Sequence, residues 1–90
     1  MNFGKAIENL KEGKKVCRSG WNGKGMYVIY QKGYPAGVPA NKNMAETGEV
    51  QEFELIKMNP WLQIRCADGT YSTWVPSIND CLAEDWQIVE

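Results

Sequence analysis

The sequence predicts an α+β fold: a small antiparallel β-sheet of four to five strands, with an N-terminal helix and a short C-terminal helix. Two observations support this prediction. An apolar stripe at helical spacing lies near the N-terminus, and short runs rich in β-branched and aromatic residues follow it, separated by turn signals. Residues 1–90 are expected to form a single domain, because a chain of this length has room for one small core.

The first predicted element is a helix from Asn2 to Glu12. Asn2 is a suitable N-cap, and Gly13 can end the helix in the left-handed conformation. Four apolar residues share one face at spacings of three, four and seven: Phe3, Ala6, Ile7 and Leu10. We expect this stripe to face the core.

Two strands follow, from Lys14 to Arg18 and from Met26 to Gln31. They flank a glycine-rich segment, Arg18–Gly25, which has three glycines within six positions. A hairpin with a wide, shaped loop is the simplest arrangement of these residues. The segment is not a P-loop, because no Ser or Thr follows a GxxxxGK pattern.

The middle of the chain is predicted to be a long loop at about 33–49. Proline and glycine recur through it, and only one turn is expected, near Asn43 to Glu46. Val50 to Met58 is ambiguous, although its apolar residues suit a strand. A loop this long in a small domain is usually functional or mobile.

The clearest hairpin joins Trp61–Cys66 to Thr70–Val75, with Asp68-Gly69 as its turn signal. Strand alternation places Leu62, Ile64 and Cys66 on one side, the predicted core face. The opposite side carries Trp61, Gln63 and Arg65.

The C-terminal elements are a short helix from about Ile78 to Ala83, capped by Ser77, and a closing strand from Trp86 to Val89. Trp86 is expected to pack under the sheet. The preceding acidic pair, Glu84 and Asp85, is interpreted as structural.

Composition excludes several classes of function. The formal net charge of −1 argues against binding a nucleic-acid polymer, which needs a strongly positive face. No apolar run approaches the roughly 20 residues of a membrane span, and no signal-peptide pattern is seen at the N-terminus. We therefore expect no membrane partner and a location in the cytoplasm.

The reactive residue types are few. The chain has no histidine, which excludes Ser-His-Asp and Cys-His catalysis. Its cysteines are three and scattered, so we expect reduced, buried thiols rather than a disulfide framework or a zinc site. We predict no catalytic residues, no metal and no cofactor, and hence a binding protein rather than an enzyme.

The glycine-rich segment holds the first group of candidate ligand-binding residues. Trp21 can stack on a purine, and Asn22 can meet base edges or ribose hydroxyls. Gly23 allows close backbone approach, while Arg18 and Lys24 offer positive charge to an anion. Met26, which follows the segment, is included in the candidate site. The alternative is equally weighted: Trp21 as a lid on the core, with Asn22 in a left-handed turn.

The second hairpin and its flank hold the remaining candidates. Thr73 and Trp74 present a hydroxyl and an aromatic wall; the alternative is an edge strand ending at Pro76. Arg65 could hold a phosphate and Asp68 a ribose hydroxyl. For Asp68 the stronger alternative is turn chemistry, because Asp before Gly favours a turn by itself.

Several of these motifs together resemble a family. They are Met-Asn-Phe-Gly at the start, the Arg18–Gly25 segment, Trp74-Val-Pro76, and Leu82-Ala-Glu-Asp-Trp86, in that order. This pattern resembles the phage Thoeris anti-defence protein two family, small phage proteins formerly catalogued as a domain of unknown function. The resemblance covers both ends of the chain.

The resemblance implies a function that composition alone does not. Such proteins act as sponges, which bind cyclic ADP-ribose-type immune signals such as gcADPR without cleaving them and so block activation of the Thoeris effector. They are homotetramers with ligand pockets between protomers, and some relatives hold cyclic dinucleotides at a separate site. The implied location is the host bacterial cytoplasm. Two alternatives stay open: a small phage protein–protein interaction module that inhibits a host protein, and, more weakly, a nucleotide-cleaving enzyme that uses Asp68 or Glu84.

Overall fold

The computed structural model describes all of residues 1–90. Its first half contains α1 (Phe3–Lys11), β1 (Lys15–Arg18), β2 (Tyr27–Gln31), β3 (Tyr34–Pro39) and α2 (Lys42–Glu46). Its second half contains β4 (Leu55–Met58), β5 (Trp61–Arg65), β6 (Tyr71–Trp74), α3 (Ile78–Leu82) and β7 (Trp86–Val89). None of the three helices has the length and apolar character needed to cross a membrane.

The strands form two antiparallel sheets. The larger sheet has five strands in the order β6-β5-β2-β1-β7, and β3 pairs with β4 in a separate two-stranded sheet. The N-terminal helix, the short C-terminal helix and the five-stranded sheet confirm the predicted α+β class. The two-stranded sheet is an addition that the prediction lacked.

Helix α1 forms as its sequence predicts. The Asn2 side chain accepts a hydrogen bond from the backbone N–H of Lys5 at 2.9 Å, and Gly13 follows the helix with φ +92°. Of the predicted stripe, Ala6 and Leu10 are fully buried. They pack against a core cluster that the sheet completes with Val16, Val28, Ile64 and Trp86.

An aromatic group closes the core at one end. Trp86 is 2% exposed, as expected for a ring under the sheet, and its indole N–H donates to the Asp80 carbonyl at 2.9 Å. The rings of Phe3, Trp21 and Trp74 lie around it, with centroids 5.2 to 6.0 Å from that of Trp86. The tilted and edge-to-face contacts stabilise this end of the core.

The predicted loop at 33–49 is wrong, although the one turn expected within it, near Asn43 to Glu46, coincides with α2. Tyr34–Pro39 is a strand, and Lys42–Glu46 is a helix capped by Asn41. Proline is tolerated in β3 because both strands of a two-stranded sheet have a free edge, and Gly37 at φ +107° lies in a register irregularity. We call residues 33–59 the arm.

The expectation that the cysteines are buried is also wrong. No disulfide forms, but Cys17 and Cys66 are only half-buried and Cys81 is exposed. Cys81 lies on α3, a helix of five residues whose one buried member is Asp80. Such a short helix covers too little of the core to bury a thiol as well.

Candidate functional site

The face of the five-stranded sheet opposite α1 has no helix over it. Side chains alternate along strands, so the residues that neighbour the buried Val16, Val28 and Ile64 point to this open face. One cross-strand row consists of Gln87, Cys17, Tyr27, Arg65 and Tyr71, and the next includes Gln63 and Thr73. The open face therefore carries aromatic, amide, hydroxyl and guanidinium groups.

The glycine-rich segment is held at its start by an ion-pair network. The Arg18 guanidinium donates from Nε to Asp85 at 2.8 Å and from Nη1 to Asp80 at 3.0 Å. Asp85 also accepts from the Gly20 backbone N–H at 2.9 Å. Arg18 is thus engaged inside the molecule, between two carboxylates, and it positions the loop.

The hydrogen bonds of this network shift the pKa values of its three charged side chains. The side-chain hydrogen bond from Arg18 is the main reason that the pKa of Asp85 lies below its usual value. Burial opposes ionisation of Asp80, but its hydrogen bonds from the Ser77 backbone and from Arg18 together outweigh that effect, so the pKa of Asp80 is also lowered. The hydrogen bonds of Asp85 and Asp80 raise the pKa of Arg18 in turn.

The structure brings Trp21 and Trp74 together, but not as two parallel walls. Their ring centroids lie 6.3 Å apart at an interplanar angle of 73°, so the rings contact each other edge to face. Both are half-buried and pack on the core cluster. A base cannot be sandwiched between two rings that already touch; their remaining exposed faces are what a ligand could contact.

Further along the loop, Gly23 packs against the turn of the second hairpin. A Cβ at this position would lie 2.8 Å from Ala67 Cβ and 2.5 Å from Met26 Sδ. Gly25 adopts φ +75°, and its carbonyl accepts a hydrogen bond from Arg65 Nη1 at 3.1 Å. Glycine at these two positions lets the loop approach β5 and the turn after it.

Arg65 lies between two tyrosines on the open face. Tyr27 and Tyr71 flank it on the neighbouring strands, and their hydroxyl oxygens lie 3.4 Å apart. The contact with the Tyr71 hydroxyl, and then burial, raises the pKa of Tyr27. Lys15 Nζ lies 5.0 Å from the centre of the Tyr27 ring, within cation–π range.

These groups border a cavity of ≈ 400 Å³ on the open face. Its lining contains Lys15, Cys17, Gly25, Met26, Tyr27, Arg65 and Val89. The volume falls within the roughly 300–1,000 Å³ typical of small-molecule sites. Two cations and an aromatic ring in one cavity suit an anion that carries a planar or apolar part.

A larger recess of ≈ 690 Å³ lies on the same face, towards the arm. Lys57, Trp61, Gln63, Tyr71 and Thr73 are among the residues that line it. Thr73 therefore points away from its neighbour Trp74, which packs on the core side. The two residues, predicted to contribute to one site, therefore lie on opposite faces of the sheet.

The other predicted residues occupy the loop and the turn. Asn22 and Lys24 are exposed on the loop. Asp68 accepts from the hydroxyl of Thr70 at 2.7 Å and from its backbone N–H at 3.0 Å, and these bonds, the first above all, lower the pKa of Asp68. This is the turn chemistry that the sequence offered as the stronger alternative.

Several residues of the open face are not among the candidates predicted from the sequence. They are Lys15, Tyr27, Trp61 and Gln63. Strand alternation could have identified them, because it places Lys15 opposite the buried Val16 and Trp61 on the side opposite the core. Applied to both hairpins together, the same alternation places all four residues on one face of the sheet. In the described residues no cluster of three or more Cys, Asp or Glu side chains is placed to hold a metal.

The fold and the site define a small α+β domain with an open, cation-bearing sheet face and cavities of ligand size. The chain belongs to the Thoeris anti-defense 2-like domain family, which matches residues 1–89. It is 39% identical over 89 residues to Thoeris anti-defense 2 of Bacillus phage SP01, an alignment that covers 99% of this chain and 94% of that relative.

Proposed function

We propose that this protein is a phage anti-Thoeris protein that binds a cyclic ADP-ribose-type signal, such as gcADPR, and sequesters it without cleavage. The observation that carries the proposal is the match to Thoeris anti-defense 2 across nearly the whole of both chains. Removal of the signal would leave the Thoeris effector inactive. The site of action would be the host bacterial cytoplasm.

The open face supplies groups that suit such a ligand. A cyclic ADP-ribose isomer has a purine, two riboses and a diphosphate. In the ≈ 400 Å³ cavity, Lys15 and Arg65 can neutralise the diphosphate, and Tyr27 can contact the base or a ribose. The exposed Asn22 and Lys24 on the adjacent loop can add polar contacts at its mouth.

The proposal gives the loop residues different roles. Arg18, with Asp80 and Asp85, holds the loop in place, whereas Trp21 and Trp74 support it from the core side. Their exposed ring faces stay available to a ligand that approaches along the loop. Because the cavity is open, we propose that a second protomer completes the enclosure, within a homo-oligomer such as a tetramer.

Calorimetric titration with gcADPR tests the proposal directly. Wild-type protein should bind saturably, and Arg65→Gln and Lys15→Gln should each weaken binding about tenfold or more, since each removes a charge-assisted contact to phosphate. Lys5→Gln is the matched control, because Lys5 is an exposed cation on α1, on the opposite side of the sheet from the cavity, and its loss should leave affinity unchanged.

Absence of gcADPR binding by folded wild-type protein would refute the proposed ligand. A specific complex with a host protein in its place would favour an interaction module. Equal loss of affinity in the Lys5→Gln control would show that only overall charge matters and would refute the assigned cavity.

A further inference from the structure

Lys15 differs from every other lysine of the chain. It is the one lysine that is half-buried, and all the others are exposed. Its ammonium group lies 5.0 Å from the centre of the Tyr27 ring. The ion pairs of the chain involve Lys5, Lys14 and Arg18, so no carboxylate oxygen lies within 4.0 Å of Lys15 Nζ. Burial of a cation without an anionic partner costs free energy, so this position indicates a role beyond folding.

The large sheet offers this cation no acidic partner. Its five strands contain no Asp or Glu, so the open face is cationic although the formal net charge of the chain is −1. The second cation of the cavity, Arg65, also makes no ion pair. Its Nη1 donates to the carbonyls of Gly25 and Cys66, at 3.1 and 3.3 Å. Both positive charges of the cavity therefore stay available to an anion.

The two cations differ in how firmly they are held. Two backbone carbonyls fix the Arg65 guanidinium beside the loop, whereas the Lys15 ammonium group donates no hydrogen bond within the chain and contacts only the Tyr27 ring. A lysine has a flexible stem, and an aromatic ring near solvent holds its charge only weakly. Lys15 can therefore leave the ring for a stronger partner, while Arg65 stays in place.

The contact between Lys15 and Tyr27 affects how a nucleotide can bind. Both residues line the ≈ 400 Å³ cavity, so the ammonium group occupies space over the ring that a stacked base needs. A phosphate group is a stronger partner for an ammonium group than an aromatic ring is. An anionic ligand therefore draws Lys15 away and uncovers the ring, whereas an uncharged base has to displace Lys15 without that compensation.

We propose that Lys15 is a specificity-determining residue, which covers Tyr27 in the free protein and uncovers it when the phosphates of a nucleotide bind. The site then accepts a ligand that carries a base and a diphosphate together, and it disfavours nucleosides and free bases, which lack the anion. This inference rests on the proposed function, in which the ligand has both parts. It adds that the two parts bind cooperatively, because phosphate binding removes the group that blocks the base.

NMR of the protein without gcADPR tests the movement of Lys15. The ring current of Tyr27 should shift the Lys15 ε-methylene protons upfield, and Tyr27→Leu should return them to the position of the exposed lysines. Inorganic pyrophosphate should reduce the shift in the wild type, because the ammonium group moves to the anion. An unshifted Lys15 signal in the wild type, or one that pyrophosphate leaves unchanged, would overturn the inference.

Calorimetric titration with adenosine and with gcADPR tests the specificity. Lys15→Gln should bind adenosine about two- to fivefold more tightly than the wild type, as expected for loss of a cation–π contact, and should bind gcADPR about tenfold more weakly. Pyrophosphate should tighten adenosine binding to the wild type by a similar factor and should have no such effect on Lys15→Gln. The control Lys5→Gln, which removes an exposed cation on α1, should match the wild type with both ligands.

The two ligands separate this inference from the proposed function. Adenosine affinity that is unchanged or lower in Lys15→Gln, or absence of adenosine binding by this variant, would overturn the inference, because Lys15 would then be only a phosphate ligand. Failure of the wild type to bind gcADPR would refute the proposed ligand. The two failures are distinguishable, since the adenosine and pyrophosphate measurements use no gcADPR.

Discussion

Arg18 is the residue on which the conformation of the glycine-rich segment depends most. Its guanidinium joins Asp80 on α3 to Asp85 before β7, and Asp85 in turn accepts the Gly20 N–H. One side chain thus connects the start of the loop to two elements from the end of the chain. Arg18 therefore has a structural role in this network, although an arginine beside a glycine-rich segment is also the residue type expected to bind a phosphate.

The network predicts an acid-sensitive stability. Both carboxylates have folded-state pKa values below the unfolded value of about 3.9, so their contribution is fully present above that pH and is lost as pH falls through the folded pKa. Chemical denaturation between pH 6 and the acid limit should show a decline that begins at about pH 4. Asp85→Asn should be less stable at neutral pH and should show a shallower acid decline; a decline as steep as that of the wild type would contradict this role.

Trp21 supports the core as well as the loop. It packs edge to face against Trp74 and Trp86 while half-exposed. Trp21→Ala should therefore lower the free energy of unfolding by about 2 kcal/mol, less than the roughly 3–5 kcal/mol of a fully buried tryptophan. Unchanged stability in Trp21→Ala would contradict the packing role. Trp21→Phe should retain most of the stability, so gcADPR titration of this folded variant reports the contribution of the indole to binding.

At the scale of elements, the loop and the second hairpin form one unit through Gly25 and Arg65. The Gly25 carbonyl accepts from Arg65, and a Cβ on Gly25 would lie 2.9 Å from Arg65 Nη1. The cavity that Arg65 lines therefore depends on a backbone position in a different hairpin. Loop conformation and cation placement are coupled through this one contact.

Gly25→Ala tests that coupling, with Gly13→Ala as its control. Both positions have positive φ, so both variants should lose about 1 kcal/mol of stability from backbone strain. Only at Gly25 does the added methyl group also displace Arg65, because the space around Gly13 is open. Titration with gcADPR should show weaker binding for Gly25→Ala alone; equal affinities in the two variants would exclude the coupling.

Elements with strong local signals could be predicted from the sequence. The cap at Asn2, the apolar stripe of α1, the Asp68-Gly69 turn and the β7 strand all appear within a few residues of their expected bounds. The arm could not, since β3 contains Pro35, Gly37 and Pro39 and becomes a strand only by pairing with β4, some 16 residues later. Long-range pairing of this kind leaves little trace in a local window.

The candidate site was predictable only in part, for a related reason. The residue types and the loop were recognisable, but the side of the sheet that each residue faces is set by register. Thr73 and Trp74 are neighbours in sequence and lie on opposite faces, while Lys15 and Arg65 line one cavity from strands that are not adjacent. Ion pairing of Arg18 with Asp80 and Asp85 bridges more than 60 residues and has no local signature.

At the scale of the whole molecule, the arm and the open sheet face expose large apolar and aromatic side chains, among them Phe53, Leu55 and Tyr71. A small domain buries a limited fraction of its surface, and here eight of 90 residues are buried. Stability and ligand enclosure are both expected to improve in the proposed homo-oligomer. Amide hydrogen exchange at residues 53–58 should therefore slow as protein concentration rises, and concentration-independent exchange would contradict a self-association that covers the arm.

The proposed function requires that the protein holds a cyclic ADP-ribose-type signal without changing it. The most direct measurement incubates the protein with gcADPR, separates free ligand by filtration, denatures the protein by heat and analyses the released ligand by mass spectrometry. We expect free gcADPR to be depleted and then recovered after denaturation, with its mass unchanged and in the amount that was bound. Recovery of a hydrolysed or rearranged product, or no depletion before denaturation, would refute sequestration without cleavage.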